Sequence, residues 1–116
     1  MNNDFIIVRN MKKFISDLNN IIINYPRSEI VIKNRLLNDS LDILELIYYA
    51  NYTNNLEKKN DLRKKILSKI SMLDYYLERS YENKYISERI LIKKTKELNK
   101  IIKLIYGWIK SDCKSK

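Results

Sequence analysis

The sequence predicts an all-α protein, an antiparallel up-down-up-down four-helix bundle forming one domain over residues 1–116. One glycine and one proline among 116 residues leave almost nothing from which to build tight hairpins. Apolar residues recur at the helical period in every segment, and the length suffices to bury a core without disulfides or metal.

The first helix is expected over about residues 4–24, with Ile7, Met11, Phe14, Ile15, Leu18 and Ile21 as its seam and Tyr25 just beyond its end. Pro26 breaks the pattern, and Ser28 is the expected N-cap of a second helix over about residues 28–52, with Glu29 suited to the dipole of its first turn. The distal half of this helix, from Leu37 to Ala50, is apolar over a wider arc than one core requires, so a second buried face against another subunit is the expected use of the excess.

The polar run from Asn51 to Asn55 reads as a connection to a third helix over about residues 57–84, seamed by Leu62, Ile66, Ile70, Leu73, Leu77 and Tyr81. Lys58, Lys65, Lys69 and Tyr76 share a flanking stripe, Tyr76 being read as a packing residue at the core boundary. Ser87 caps a fourth helix over about residues 87–111, and the tail from Asp112 is expected to fray. Short connections between long helices give the antiparallel bundle.

The fourth helix carries two opposed stripes. Leu91, Thr95, Leu98, Ile102, Ile105 and Ile109 alternate by four and three residues and form the expected seam. Arg89, Lys93, Lys96, Lys100 and Lys103 step the same way on the opposite side. Neighbouring like charges at these spacings cost a helix about 0.2–0.5 kcal/mol per pair, and only Glu97 lies close enough to relieve them.

With 23 Lys and Arg against 14 Asp and Glu, the net charge of +9 favours polyanions, although Asn, Ile, Lys and Tyr together also suggest an A/T-rich genome that inflates lysine. The absence of histidine excludes His-based acid–base catalysis and the common His-containing zinc sites. Cys113, alone in a Lys-rich tail, has no partner for a disulfide and no local base to activate it. The acidic pairs Asp42/Glu45, Asp74/Glu78 and Glu78/Glu82 lack the Glu-x-x-His pattern of di-iron bundles and read as surface ion-pair partners. No catalytic residue, metal or cofactor is expected. No apolar run approaches the ~20 residues of a membrane span, and a cytoplasmic protein is expected.

Several stretches carry a resemblance. Tyr25-Pro26-Arg27-Ser28, Arg35-x-x-Asn38, Leu41-Asp42-Ile43-Leu44-Glu45-Leu46-Ile47 and Ala50-Asn51-Tyr52 are followed by Leu73-x-x-x-Leu77-x-Arg79-Ser80, Tyr85-Ile86-Ser87 and Tyr106-Gly107-Trp108-Ile109-Lys110-Ser111. Over roughly residues 5–111 this pattern resembles the accessory variability determinant (Avd) proteins of diversity-generating retroelements and, more distantly, the four-helix proteins encoded in ribosomal-RNA intervening sequences. Where the Avd pattern has Gly-Gly-Trp, this chain has Tyr106-Gly107-Trp108. The resemblance implies a basic homopentamer that binds DNA and RNA without catalysis and partners a reverse transcriptase in mutagenic homing.

The resulting expectation is a non-enzymatic oligomeric scaffold. Arg89, Lys93, Lys96, Lys100 and Lys103, supported by Lys65 and Lys69, would contact phosphates, and Tyr48, Tyr49, Tyr106, Gly107 and Trp108 would lie in or near subunit contacts. Trp108, beside the seam, is read as an anchor of the interior or of an interface. The rival expectation is an adaptor, or an intervening-sequence bundle protein, whose basic face meets an acidic partner and never touches nucleic acid.

Overall fold

A computed structural model describes residues 3–114, and the side chains of residues 6–113. It is a four-helix bundle: α1 (Asn3–Ile22), α2 (Ile30–Tyr52), α3 (Leu56–Glu82) and α4 (Glu88–Lys114). Each helix packs on its two neighbours, α1 on α2, α2 on α3, α3 on α4 and α4 back on α1. Helices α1 and α3 therefore stand at opposite corners, as do α2 and α4. The bundle measures 49 × 23 × 19 Å.

The helix boundaries follow local chemistry. Asn55 caps α3, its Oδ1 accepting from the Lys58 amide at 2.9 Å, and Ser87 caps α4 by accepting from the Ile90 amide at 3.2 Å. Ser28 does not cap α2. Pro26 leads instead into a single 3-10 turn at Arg27–Glu29, which feeds directly into α2 without a side-chain cap.

At the end of α3, Lys84 takes a left-handed conformation with φ 66°. The Tyr85 amide donates to the Ser80 carbonyl at 2.8 Å and the Lys84 amide to that of Tyr81 at 2.9 Å, the paired bonds of a Schellman stop. This turn lies beside the α1–α2 connection. The Tyr85 ring lies tilted against that of buried Tyr25, with centroids 5.3 Å apart, and its hydroxyl donates to Glu29 at 2.7 Å, a bond that raises the Tyr85 pKa above its ordinary value.

Ile7, Met11, Phe14, Leu18 and Ile22 of α1, Leu36, Ile43, Ile47 and Ala50 of α2, Ile66, Ile70, Leu73 and Leu77 of α3, and Leu98, Ile101, Ile105 and Trp108 of α4 make one core. Three features correct the sequence reading. In α3, Tyr81, expected in the seam, is exposed, while Tyr76 packs at the edge of the core as expected. In α4 the buried track is Lys94, Leu98, Ile101, Ile105 and Trp108, whereas Leu91, Thr95, Ile102 and Ile109 are half-buried on its flank. The seam is thus turned by about 60° around the helix axis, at 100° per residue. The tail expected to fray is helical through Asp112, because that carboxylate is tied into the bundle.

The tie is Arg63, whose side chain is 0% exposed. Its Nη1 donates to Asp112 Oδ2 at 2.6 Å, Nη2 donates to Asn60, and the guanidinium lies 4.9 Å from the Trp108 ring centroid. The Lys59 ammonium sits 3.7 Å from the same carboxylate and 5.5 Å from the Trp108 ring centroid. Carboxylate, amide and aromatic face compensate much of the buried guanidinium's lost hydration, while its Nε has no hydrogen-bond partner among the described residues.

Candidate nucleic-acid interface

Arg89, Lys93, Lys96, Lys100 and Lys103 are all exposed. They run along the outward face of α4, which spans about 21 Å from Arg89 to Lys103 at 1.5 Å per residue. Lys110 continues the row at i+7 from Lys103 and is also exposed. Among the described residues, none of these six takes part in an ion pair.

What keeps the row unneutralised is the fate of the acids on the same helix. Glu97, the one acid placed by sequence to relieve the row, is held by Lys94 instead, with Nζ 3.0 Å from Oε1. Glu88 accepts from the Tyr81 hydroxyl at 3.3 Å, and Asp112 is taken by Arg63. Each carboxylate is thus engaged away from the lysine row.

Lys94 was not visible as a core residue in the sequence. Its side chain is 1% exposed, its ammonium lies 4.5 Å from the Phe14 ring centroid, and it donates to the Phe14 carbonyl at 3.2 Å. Desolvation lowers its pKa, against the opposing pull of Glu97 and, more weakly, Asp17. The sequence carries a signal for it all the same: positions 94, 98, 101, 105 and 108 have the same alternation of four and three as the seam through Leu91 and Ile109.

Lys65 and Lys69 do not join the α4 row. Lys69 turns toward α2, 3.4 Å from Asp42 Oδ2 and 3.9 Å from Asp39 Oδ1. Lys65 lines a shallow groove with Tyr49, Thr53, Lys58, Asp61 and Leu62, again on the α2 side of α3. Since α2 stands diagonally across from α4, these lysines face another quarter of the surface. Arg35 belongs to the same α2–α3 network, donating to the Tyr76 hydroxyl at 2.9 Å and lying 3.9 Å from Asp39.

Comparison of the chain with protein-family models, with curated proteins and with solved structures finds no match.

The residues expected at subunit contacts separate into two groups. Trp108 is 4% exposed and packs inside its own bundle against Arg63, leaving it no face for a neighbour. Tyr49 and Tyr106 are exposed, while Tyr48 and Gly107 are half-buried. Along the outer face of α2, Ile30, Val31, Leu41, Tyr49 and Tyr52 are all exposed at the corner opposite the basic one, interspersed with exposed Asn34, Asn38 and Glu45. Among the described residues, no group of three or more His, Cys, Asp or Glu side chains is arranged to hold a metal ion, and no helix is long and apolar enough to cross a membrane.

Proposed function

We propose that this protein is a non-enzymatic polyanion-binding scaffold of the cytoplasm that takes nucleic acid along the α4 row. The supporting observation is that Arg89, Lys93, Lys96, Lys100 and Lys103 share one exposed face with no ion-pair partner among the described residues, while Glu88, Glu97 and Asp112 are engaged elsewhere. Like charges at helical spacing repel one another. Phosphates supply the counter-charge, giving affinity without base readout.

The testing experiment is a salt titration of binding to random-sequence DNA and RNA. Five phosphate contacts would give a slope near −4.5 for log affinity against log salt on duplex DNA, at about 0.9 per contact. Failure to bind either polymer at ~50 mM salt would favour the adaptor reading, in which an acidic protein occupies the row.

The exposed apolar residues of α2 support a second part of the proposal, self-association through that face. Exposed Leu41 and Tyr52 share one side of the helix with half-buried Leu37 and Tyr48 at 100° per residue, and apolar residues clustered in this way suit a subunit contact. A pentamer and a reverse-transcriptase partner rest on the Avd resemblance alone. Light scattering at micromolar concentration tests the association, and a monomeric particle would remove it.

A further inference from the structure

The basic row has an uncharged border. On the side of α4 that faces α3, Ile92, Asn99 and Tyr106 follow one another at i+7, a spacing of two helical turns that keeps them nearly in line beside Lys96, Lys103 and Lys110. Ile92 is 47% exposed and Tyr106 58%. Tyr106 lies one turn from Lys103 and one turn from Lys110, so a cation flanks the ring on each side along the helix.

Beneath this border runs a groove of about 140 Å³ between α3 and α4, lined by Ile70, Ser71, Asp74, Leu98, Asn99 and Ile102. Its floor is apolar and its rim polar. Asp74 has no ion-pair partner among the described residues, and its carboxylate repels phosphate from the groove while accepting from amino groups. The Ser71 hydroxyl donates to the Leu67 carbonyl at 3.2 Å, leaving its oxygen lone pairs to accept.

From this arrangement we infer that the α4 surface takes single-stranded nucleic acid, with phosphates on the lysines and bases turned toward the α3–α4 groove, one of them stacked on Tyr106. The inference rests on the reading of the row as a phosphate track and adds the form of polymer it selects. A cationic track beside an exposed aromatic face is the arrangement by which single strands are held without sequence preference. A duplex keeps its bases stacked on each other, so it meets the lysines but gains nothing from Tyr106.

The test is fluorescence anisotropy with an oligo(dA) strand of about 12 nucleotides, long enough to span the row, and with the corresponding dA–dT duplex. Tyr106→Ala should weaken strand binding about tenfold, leave the salt slope unchanged because no charge is lost, and leave duplex binding unaltered. Tyr106→Trp should retain or tighten strand binding. Lys96→Glu with Lys100→Glu should instead flatten the slope for both polymers. If Tyr106→Ala weakens strand and duplex alike, or neither, the base-stacking assignment is overturned while the phosphate row stands. If the wild-type protein binds neither polymer, the phosphate row itself is overturned.

Discussion

Lys94 holds Glu97 at 3.0 Å within a single helix, and this contact links the interior of the bundle to the charge of its surface. The ammonium needs the carboxylate because it is buried against Phe14; the carboxylate is thereby withdrawn from Lys93 and Lys100. Core packing and surface potential are set by the same pair.

Lys94→Met should therefore act in two places. Inside, it removes a buried charge and should be neutral or stabilising by up to about 2 kcal/mol in thermal or urea unfolding. Outside, it frees Glu97 to approach the row, which should reduce the salt slope of duplex binding by about 0.9.

The same residue gives a pH dependence. Burial lowers the folded-state pKa of Lys94 below its ordinary value of 10.5, and Lys93 adds to the lowering while Glu97 and Asp17 oppose it. Between the folded pKa and 10.5 the unfolded chain binds more protons, so this group makes stability rise with pH across that window; below the folded pKa its full penalty remains. Wild type should gain stability relative to Lys94→Met as pH increases toward 10.5, measured by denaturant unfolding at each pH.

Removing Asp112 should be costly although it lies near the chain end. Asp112→Ala leaves the buried Arg63 guanidinium without its carboxylate and should destabilise the bundle by about 2–4 kcal/mol. Arg63→Met should cost less, since Asp112 remains partly solvated. Urea denaturation of both single variants and the double variant measures the coupling.

Reversing Lys93, Lys96 and Lys100 to Glu should abolish duplex binding with circular dichroism unchanged, because all are exposed on α4. Reversing Lys58 and Lys65, on the α2 side of α3, should weaken binding far less. Equal losses from the two sets would mean a diffuse field rather than a track.

Lys84→Gly should stabilise the bundle by about 0.5–1 kcal/mol, seen as a raised melting temperature. A left-handed residue with a Cβ costs roughly 1–2 kcal/mol, and glycine recovers most of it after its greater freedom in the unfolded chain.

Much of the fold was legible because periodicity needs only residue types. The core residues Ile7, Met11, Phe14 and Leu18, and Ile66, Ile70, Leu73 and Leu77, lie where the seams put them. Arg63 and Lys94 were missed for one reason: charged residues were assigned outward, whereas here Trp108 with Asp112 and Phe14 with Glu97 compensate them inside. Accepting Lys94 as interior would have turned the α4 seam onto Trp108. The outward lysines were readable from sequence, but the distance between Lys69 and α4 was not, since spacing along α3 does not say which neighbour a flank faces.

The diagonal relation of α2 and α4 has a consequence for valency. Two copies joined through the outer faces of their α2 helices would each turn α4 away from the contact, so the pair would carry two tracks that neither subunit covers. A strand long enough to reach both, engaged on one track, would then meet the other at an effective concentration of about millimolar, and avidity would rise without any new residue contact.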